Sequence, residues 1–245
     1  MSKTTSAGAT TDVQHYDGQD LEALADLPRY TRWILDQIGP HLHGRVIEVG
    51  AGMGNVSARY LDQVHSALLV EPAVNLHSKL AARLGPHPKV TTACCLLQEL
   101  PPALVAEPFD AAILVNVLEH IDDDVAILQA LRALVKPGGA VLIFVPALPQ
   151  LYGSLDALVH HVRRYTRMEL RDKFERAGLV TQRVDYMDAL GMAPWFVVGK
   201  ILKQRKFSTT GAQLYDRFGV PATRFVEERF LPPIGKSLVG IATRA

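Results

Sequence analysis

The sequence has 245 residues, of which 48% are hydrophobic and 21% charged, a composition that excludes a disordered chain. Its 26 Lys and Arg residues balance 25 Asp and Glu residues, which argues against nucleic acid as a partner, because proteins that bind it carry a basic excess. Its two cysteines, Cys94 and Cys95, are adjacent and fit neither a disulfide framework nor a zinc site. The first residues lack the apolar core of a signal peptide, so a cytoplasmic protein is expected.

Short apolar runs alternate along the chain with stretches of helical periodicity, which predicts a doubly wound α/β fold with a mostly parallel, seven-stranded sheet. Residues 1–20 are expected to form a flexible tail. We expect a cofactor-binding α/β domain over 21–188 and 234–245, with a helical cap inserted at 189–233. The predicted strands are 45–49, 67–71, 90–94, 111–115, 140–145, 180–187 and 237–244. The predicted helices are 21–39, 55–64, 73–84, 122–135 and 166–177.

A glycine-rich loop, Glu48–Asn55, follows the first predicted strand, at the edge of the sheet where such folds bind ligands. Its spacing is G-x-G-x-G, whereas a dinucleotide-binding loop has G-x-G-x-x-G. Glu48 suits a ligand with positive charge, and Glu71 ends the second strand, where a carboxylate can accept two ribose hydroxyls. The loop therefore predicts a nucleoside ligand with a cationic group, such as S-adenosylmethionine. A glycine turn that only joins a strand to a helix is the structural alternative.

These residues resemble the class I S-adenosylmethionine-dependent methyltransferases. Glu48–Asn55 is similar to their first motif and Glu71 to their second. Asn116–Ile121 is similar to the fourth-strand motif of the small-molecule branch, and Leu134–Gly139 to the turn before the fifth strand. The resemblance covers about residues 25–187 and the last strand, and it implies the seven-stranded, Rossmann-like methyltransferase fold.

The resemblance implies S-adenosylmethionine as the cofactor and a set of residues that bind it. The family usually presents an aspartate to adenine after the third strand, but here Leu96 stands at that place, so Gln98 or backbone groups would replace it. The implied cofactor-binding residues are Tyr30, Glu48, Gly50, Ala51, Gly52, Gly54, Asn55, Glu71, Pro72, Leu97, Gln98, Asn116, Val117 and His120.

A narrower resemblance lies in Tyr30, Leu151–Gly153 and His161–Thr166, which are similar to a bacterial subgroup tied to sugar, polysaccharide or secondary-metabolite modification. That subgroup has Gly where this chain has His160. Residues expected to contact the acceptor are Tyr152, His160, Arg163, Tyr165 and Trp195. For the two adjacent arginines, one structural salt bridge and one solvated charge are the structural alternative.

Methyl transfer to a hydroxyl needs a base that takes its proton, whereas an amine acceptor needs only alignment and desolvation. His161 and His120 follow the fifth and fourth strands and are the candidate catalytic residues. The structural alternatives are that His161 fixes its loop and that His120 packs near the methionine part of the cofactor. No metal is expected, because Asp122–Asp124 suits the start of a helix.

We therefore expect a methyltransferase that acts on a hydroxyl of a small molecule, in natural-product or sugar metabolism. An amine acceptor and a membrane-linked glycan are the alternatives within this class. A nicotinamide-dependent oxidoreductase and a cofactor-binding module without activity are the alternatives outside it. A basic amphipathic segment at 192–206 suggests a membrane contact, with a core helix as the structural alternative, and the cap offers a surface for a homodimer.

Overall fold

The alternating apolar runs form the strands of one mixed sheet, which contains seven strands in the part of the chain that the structure describes. The structure is a computed structural model that describes residues 27–204, 206 and 208–245, so the expected tail 1–20 and residues 21–26 of the first predicted helix lie outside the described residues. The strands are β1 (Arg45–Val49), β2 (Ser66–Val70), β3 (Val90–Ala93), β4 (Phe109–Val115), β5 (Val135–Pro146), β6 (Leu179–Met187) and β7 (Ser237–Arg244).

The strand order across the sheet is β3-β2-β1-β4-β5-β7-β6. All neighbouring strands are parallel except β7, which runs antiparallel to both β5 and β6. β1 lies between β2 and β4, so the chain leaves β1 toward one edge and later returns to its other side. In an open α/β sheet, this reversal leaves a crevice at the carboxyl ends of the strands. The predicted doubly wound, mostly parallel fold is confirmed.

Helices cover both faces of the sheet, because alternate residues of each strand point to opposite sides. In β1, Ile47 belongs to one apolar core and Val46 to the other. The helices are α1 (Pro28–Ile38), α2 (Val74–Leu84), α3 (Asp124–Leu134), α4 (Ser154–Leu158), α5 (Arg167–Arg176), α6 (Met192–Phe196), α7 (Thr209–Leu214) and α8 (Val220–Glu227). The core on the Ile47 side includes residues of α3 and α5, and the other includes residues of α1 and α2.

The helix expected at 55–64 is wrong, since the chain there forms two 3₁₀ turns, Ser57–Arg59 and Leu61–Gln63. Beside these turns, Glu48 Oε2 accepts hydrogen bonds from the hydroxyls of Ser57 at 2.6 Å and Tyr60 at 2.7 Å. Because a buried carboxylate needs hydrogen-bond donors, these two contacts hold the turns against the end of β1.

The start of α5 follows its sequence signal, the capping box Thr166-Arg167-Met168-Glu169. The Thr166 backbone N–H donates to Glu169 Oε2 at 2.7 Å, and the Glu169 N–H donates to Thr166 Oγ1 at 3.2 Å. On its inner face, α5 buries Phe174 against β7, where Gly240 makes room for the ring: a Cβ there would lie 2.9 Å from Phe174 Cζ.

Between β6 and β7 the described residues form α6, α7 and α8, with π-helical turns at Val197–Ile201 and Tyr215–Gly219. A polar contact joins this segment to α1, and an ion pair joins its two ends. The carboxylate of Asp216 accepts the backbone N–H of Tyr30 at 2.8 Å, and that of Asp188 pairs with Lys236 Nζ at 2.7 Å. None of the helices in the described ranges is both long and apolar enough to cross a bilayer.

Replacing Phe174 by Ala should lower the free energy of unfolding by about 3–5 kcal/mol, because the substitution leaves a cavity between α5 and the sheet. The matched control is Met168→Ala on the same helix, where the side chain is 81% exposed and its removal should change stability little. Urea unfolding followed by circular dichroism measures both. Equal losses in the two variants would contradict this account of the core.

Candidate functional site

The candidate site lies where the glycine loop after β1 meets the ends of β2 and β4. Glu71 follows β2, and its carboxylate holds the loop: Oε2 accepts the backbone N–H of Gly52 at 2.8 Å and Oε1 accepts that of Ala73 at 2.9 Å. Burial raises the pKa of Glu71, while these two bonds act in the opposite direction. Each carboxylate oxygen can accept a second hydrogen bond, so Glu71 retains capacity for two hydroxyl donors.

Three glycines of the loop have positive φ, and each has a different surrounding. A Cβ on Gly50 would lie 2.4 Å from Val117 Cγ2, so the loop and the residues after β4 approach closely only without a side chain. A Cβ on Gly54 would lie 2.5 Å from Leu84 Cδ1, so Gly54 lets the loop pack on α2. Among the described residues, no atom lies within 4 Å of the Cβ position of Gly52, so a group placed there would meet open space.

Glu48 is buried at the end of β1 beside the loop, with Ser57 and Tyr60 as its donors. Burial, with a smaller effect from the charge of Glu71, raises its pKa to about 7, although the hydrogen bonds from Ser57 and Tyr60 lower it. The two acids that the sequence singled out are therefore neighbours, and both are shielded from solvent. A cationic group nearby would favour their charged forms.

The β4 loop, residues 116–121, forms the next side of the site. Asn116 has a positive φ of 53°, and its N–H donates to the carbonyl of Phe144 in β5 at 2.8 Å, so the chain turns sharply as β4 ends. His120 follows in a 3₁₀ turn, and its ring meets the His161 ring edge to face at 4.8 Å between centroids. Burial, and next the proximity of His161, lower the pKa of His120 to about 4. The structure thus brings the two candidate catalytic histidines together.

His161 belongs to a buried hydrogen-bonded cluster centred on Asp156 of α4. Asp156 Oδ1 lies 2.9 Å from His161 Nδ1 and 2.8 Å from Arg164 Nε, and Oδ2 accepts the N–H of Gly153 at 2.9 Å. Burial alone would raise the pKa of Asp156, but the hydrogen bonds from His161 and Arg164 lower it. Asp156 is therefore ionised, and it orients His161 with Nδ1 protonated and Nε2 as the acceptor.

Glu119 lies on the Nε2 side of His161, at 3.7 Å from Glu119 Oε1 to Nε2, and it is fully buried. Burial raises its pKa to about 8, so it is largely protonated near neutral pH. Neither carboxylate oxygen has a hydrogen-bond partner among the described residues. Sequence reasoning missed Glu119 and Asp156 as site residues. The available signal was that Asp156 lies five residues before His161 and eight before Arg164.

Glu119, His120 and His161 bring ligand-type atoms within 4.8 Å of one another. His161 Nδ1 is already bonded to Asp156 at 2.9 Å, so Nε2 is the ring atom that His161 offers to this group. The expectation that the site holds no metal therefore stays a prediction.

Several residues expected to contact the acceptor instead bond to groups inside the protein, next to the candidate site. The Tyr165 ring is buried, and its hydroxyl donates to the Leu118 carbonyl at 2.9 Å and contacts Asp124 Oδ2 at 3.0 Å. Arg163 Nη1 pairs with Asp124 Oδ2 at 3.0 Å. Since Arg164 is also paired, with Asp156, the alternative of one salt bridge and one solvated charge is wrong, because two buried acids face the two arginines.

Three other expected acceptor residues lie around the His161 segment. The Tyr152 hydroxyl donates to the His161 carbonyl at 2.7 Å and so fixes the backbone that carries the histidine. His160 is exposed and has a positive φ of 59°. Trp195 of α6 lies over Arg164, with 4.9 Å from the guanidinium carbon to the ring centroid. The segment after β6 is thereby joined to the cluster around Asp156.

Tyr30 lies on the same side as Trp195, next to a lysine that the sequence did not indicate. The Lys236 ammonium lies 4.6 Å from the centre of the Tyr30 ring and 5.8 Å from those of Trp195 and Tyr215. The Tyr30 hydroxyl is 3.3 Å from Ser237 Oγ. Aromatic rings from three separate parts of the chain therefore meet around one cation.

The residues expected near adenine lie after β3 and at the end of the glycine loop. Leu97 is buried in the core and Gln98 is exposed beside it. Pro72 follows Glu71, with its carbonyl 3.9 Å from Cys94 Sγ. The side-chain oxygen of Asn55 accepts a hydrogen bond from Arg83 at 2.6 Å, which ties the end of the loop to α2.

A family model described as a methyltransferase domain matches residues 20–184, which is more than half of the chain. The chain belongs to this methyltransferase family. It is a class I methyltransferase, an enzyme whose cofactor is S-adenosylmethionine. The residues of the site fit this cofactor. The position beside Gly52 is open, and Glu71, which lies where the strand order reverses, can accept further hydrogen bonds.

The methyltransferase is 30% identical over 123 residues to the ubiquinone biosynthesis O-methyltransferase of Histophilus somni (strain 2336). The match covers 48% of this chain and 50% of that protein, so it spans half the length of the relative.

Two solved structures illustrate the shared fold. Phosphoethanolamine N-methyltransferase 2 of Haemonchus contortus, in complex with S-adenosyl-L-methionine, has a TM-score of 0.58 at 19% identity, over 88% of this chain and 52% of that chain. An S-adenosylmethionine-dependent methyltransferase from Clostridium acetobutylicum has a TM-score of 0.58 at 10% identity, over 91% of this chain and 94% of that chain. At these identities the likeness shows the fold alone.

The buried acid Glu119 makes the stability of the methyltransferase depend on pH. Its pKa rises from an ordinary value of 4.5 to about 8, so between these values the folded protein keeps a proton that the unfolded chain has released. The free energy of unfolding should therefore fall as pH rises through this window, by up to about 1.4 kcal/mol per pH unit for one proton. Glu119→Gln should remove this contribution, and urea unfolding at stepped pH measures it.

The control for this experiment is Glu175→Gln, an exposed acid on α5 whose replacement should leave the slope unchanged. If Glu119→Gln has the slope of the parent protein, then Glu119 is not the group that holds the proton.

Proposed function

We propose that this methyltransferase transfers the methyl group of S-adenosylmethionine to a hydroxyl oxygen of a small molecule, in natural-product or sugar metabolism. The observation that carries the proposal is the hydrogen bond of 2.9 Å between Asp156 Oδ1 and His161 Nδ1, beside the β4 loop. It prepares a histidine to take a proton, which a hydroxyl acceptor requires and an amine acceptor does not. The Histophilus somni relative is named as an O-methyltransferase, which supports the same class of acceptor.

In this proposal the cofactor is held by the loop after β1 and by the ends of β2 and β4. Glu71 accepts the ribose hydroxyls with the capacity that its two backbone donors leave. Gly50, Ala51 and Gly52 would let the backbone approach the ligand, and Glu48, buried beside the loop, would be ionised in the presence of its cationic group. When bound, the cofactor supplies an electrophilic methyl group on a sulfonium.

The remaining cofactor residues divide into those that line the ligand and those that shape the loop. We assign lining roles to Val117, which lies against Gly50, to Asn116 before it in the β4 loop, and to Pro72 and Gln98 on the adenine side. Gly54, Asn55 and Leu97 shape the site instead, because they pack on α2, bond to Arg83 and enter the core. Tyr30 closes the acceptor side.

His161 is the proposed base. Asp156 fixes its ring and tautomer, so that Nε2 takes the hydroxyl proton while Nδ1–H remains bonded to the carboxylate. The ionised Asp156 also stabilises the imidazolium that results, as a carboxylate does in other histidine-based sites. Asp156 is thus a positioning residue, and Arg164 holds it from the other side at 2.8 Å.

His120 has a different proposed role. Its pKa of about 4 keeps the ring uncharged near neutral pH, so it holds an abstracted proton poorly. The neutral ring instead packs edge to face against His161 and limits its rotation. This favours His161 over His120 as the base.

The segment after β6 forms the proposed acceptor side of the site. We propose that residues 21–188 and 234–245 bind the cofactor and that 189–233 covers the acceptor. Support comes from Trp195, which lies over Arg164, and from Ser154, whose hydroxyl donates to the Gly199 carbonyl at 3.0 Å. Tyr152 and His160 border the same space from the His161 side.

Glu71→Ala should weaken the binding of S-adenosylhomocysteine by about 1–3 kcal/mol, because two hydroxyls lose their charged acceptor. Isothermal titration calorimetry measures the change, and NAD serves as a ligand that should not bind. Glu175→Ala is the matched control, since it removes an exposed acid far along the chain on α5. Unchanged affinity in Glu71→Ala would remove Glu71 from the proposed site.

His161→Gln should lower turnover by about 10²-fold or more with a hydroxyl acceptor, which is the contribution of a positioned general base. The assay screens phenols, catechols and sugars for release of S-adenosylhomocysteine, and calorimetry should show cofactor affinity unchanged. His43→Gln, an exposed histidine before β1, is the matched control and should keep full turnover.

Asp156→Asn tests the positioning role separately. It should lower turnover less than His161→Gln and shift the pH profile of kcat, because a neutral amide replaces the carboxylate that stabilises the imidazolium formed on proton transfer. Near-normal turnover in His161→Gln, with His120→Gln inactive, would reassign the base to His120. Full activity on amines in all of these variants would replace the hydroxyl acceptor by an amine.

A further inference from the structure

Large apolar side chains are exposed mainly in one segment of this methyltransferase. Seventeen such side chains are exposed in the described residues, and twelve of them lie between residues 190 and 234, in the segment that joins β6 to β7. Single exposed apolar residues are normal on protein surfaces, whereas a concentration of them marks an interaction site. The twelve, here called the apolar segment face, are Leu190, Phe196, Val197, Ile201, Leu202, Leu214, Phe218, Phe225, Val226, Phe230, Leu231 and Ile234.

The helical spacing places part of this face along one side of the α7–α8 stretch. Leu214, Phe218 and Phe225 follow at intervals of four and seven residues, which is the spacing of one helix face, and each is about 60% exposed. Their exposure contrasts with Val220 in the same stretch, which is buried against the core. The stretch therefore has an inner side that holds it on the fold and an outer apolar side.

The charge of the segment differs from that of the whole chain. Residues 190–234 contain seven Lys and Arg residues against three Asp and Glu residues, although the complete sequence is nearly balanced. The three acids are engaged within the protein. Asp216 accepts the backbone N–H of Tyr30, Glu227 accepts that of Ala189 at 2.8 Å, and Glu228 pairs with Arg224 at 2.6 Å. The outward electrostatic character of the segment is therefore basic.

Basic and aromatic side chains are also interleaved on this face. The Arg229 guanidinium lies 3.9 Å from the centre of the Phe225 ring, and that of Arg217 lies 5.3 Å from the Phe218 ring. Such neighbours place an apolar group and a cation at the same point of the surface. This pattern is typical of helices that lie in the boundary between lipid headgroups and acyl chains.

We infer that the apolar segment face docks this methyltransferase on a membrane surface that contains anionic lipids. An anionic bilayer offers an apolar layer for the exposed side chains and negative headgroups for the basic ones. A second copy of the chain is a poorer occupant, because two copies of a basic face would repel each other in a symmetric contact. The docking is interfacial, since no helix in the described part of the chain can span a bilayer.

The position of the face relative to the candidate site is fixed by contacts at both ends of the segment. Gly199 packs on Gly153, where a Cβ would lie 2.9 Å from the Gly199 carbonyl oxygen, and Trp195 lies over Arg164. At the other end, Glu227 binds the backbone of Asp188 and Ala189. The face is therefore carried by elements that also border the site.

The test is flotation of the full chain with vesicles of phosphatidylcholine alone and with vesicles that also contain phosphatidylglycerol. Binding is expected to the anionic vesicles and to weaken as salt increases. The double variant Phe218→Ser, Phe225→Ser should reduce binding to the vesicles by about a hundredfold, because two aromatic rings no longer enter the apolar layer. The double variant Arg217→Gln, Arg229→Gln should reduce binding to anionic vesicles by about thirtyfold, because two cations no longer meet the negative headgroups.

Two matched controls lie outside the segment, on α5. Met168→Ser removes an apolar side chain that is 81% exposed, and Arg171→Gln removes an exposed charge. Both should bind vesicles as the parent protein does. All variants are surface changes, and calorimetry with S-adenosylhomocysteine confirms that each remains folded.

Three results would overturn the inference. The first is no flotation with either vesicle, and the second is flotation that the phenylalanine variant does not reduce. The third is a dimer in light scattering that Phe218→Ser, Phe225→Ser converts to a monomer, which would make a second copy the occupant. The assay needs no methyl acceptor, so its failure leaves the proposed function untouched, and loss of turnover in His161→Gln leaves the membrane contact untouched.

Discussion

The buried carboxylate of Asp156 is the group on which the proposed acceptor side of the site depends. It joins the Nδ1 of His161, the guanidinium of Arg164 and the backbone N–H of Gly153. Leaving a buried charge unpaired is costly, so Asp156 supplies the counter-charge that the buried guanidinium of Arg164 needs. Through Arg164 the same carboxylate also fixes Trp195 and, with it, the segment between β6 and β7. Asp156 therefore connects the proposed base, His161, to the segment between β6 and β7.

The fold could be predicted from the sequence because its signals are local and repeated. Apolar runs such as Arg45–Val49 and Ser237–Arg244 have strand bounds that match the structure, since side chains buried on both faces leave no polar alternation. The expectation failed at 55–64, where the pattern is helical but the chain forms 3₁₀ turns, with Ser57 and Tyr60 bonded to Glu48. That contact joins residues nine and twelve positions apart, which no periodicity of side chains reveals.

The sequence indicates more of the proposed cofactor side of the site than of the proposed acceptor side. Glycines and acids at strand ends single out Gly50 to Gly54 and Glu71, and the strand order brings them to one edge of the sheet. The acceptor side depends on pairs that are distant in sequence, and here residue type misleads. Tyr165 and Arg163 have the chemistry of ligand-binding side chains, yet both face Asp124 inside the protein. Which side chains pair with a buried acid depends on where they lie in the folded chain, and a sequence pattern does not contain that information.

The place of β7 in the sheet has a consequence for how the polypeptide acquires its structure during synthesis. β7 lies between β5 and β6 and pairs with both, although it is made after every other strand. Until residues 237–244 have left the ribosome, β5 and β6 have no shared neighbour, and each presents an unpaired edge of backbone groups. Unpaired edges are sites of intermolecular β-pairing. A nascent chain that has completed six strands is therefore more prone to aggregate than the finished protein, and the quality-control machinery of the cell meets it in that state.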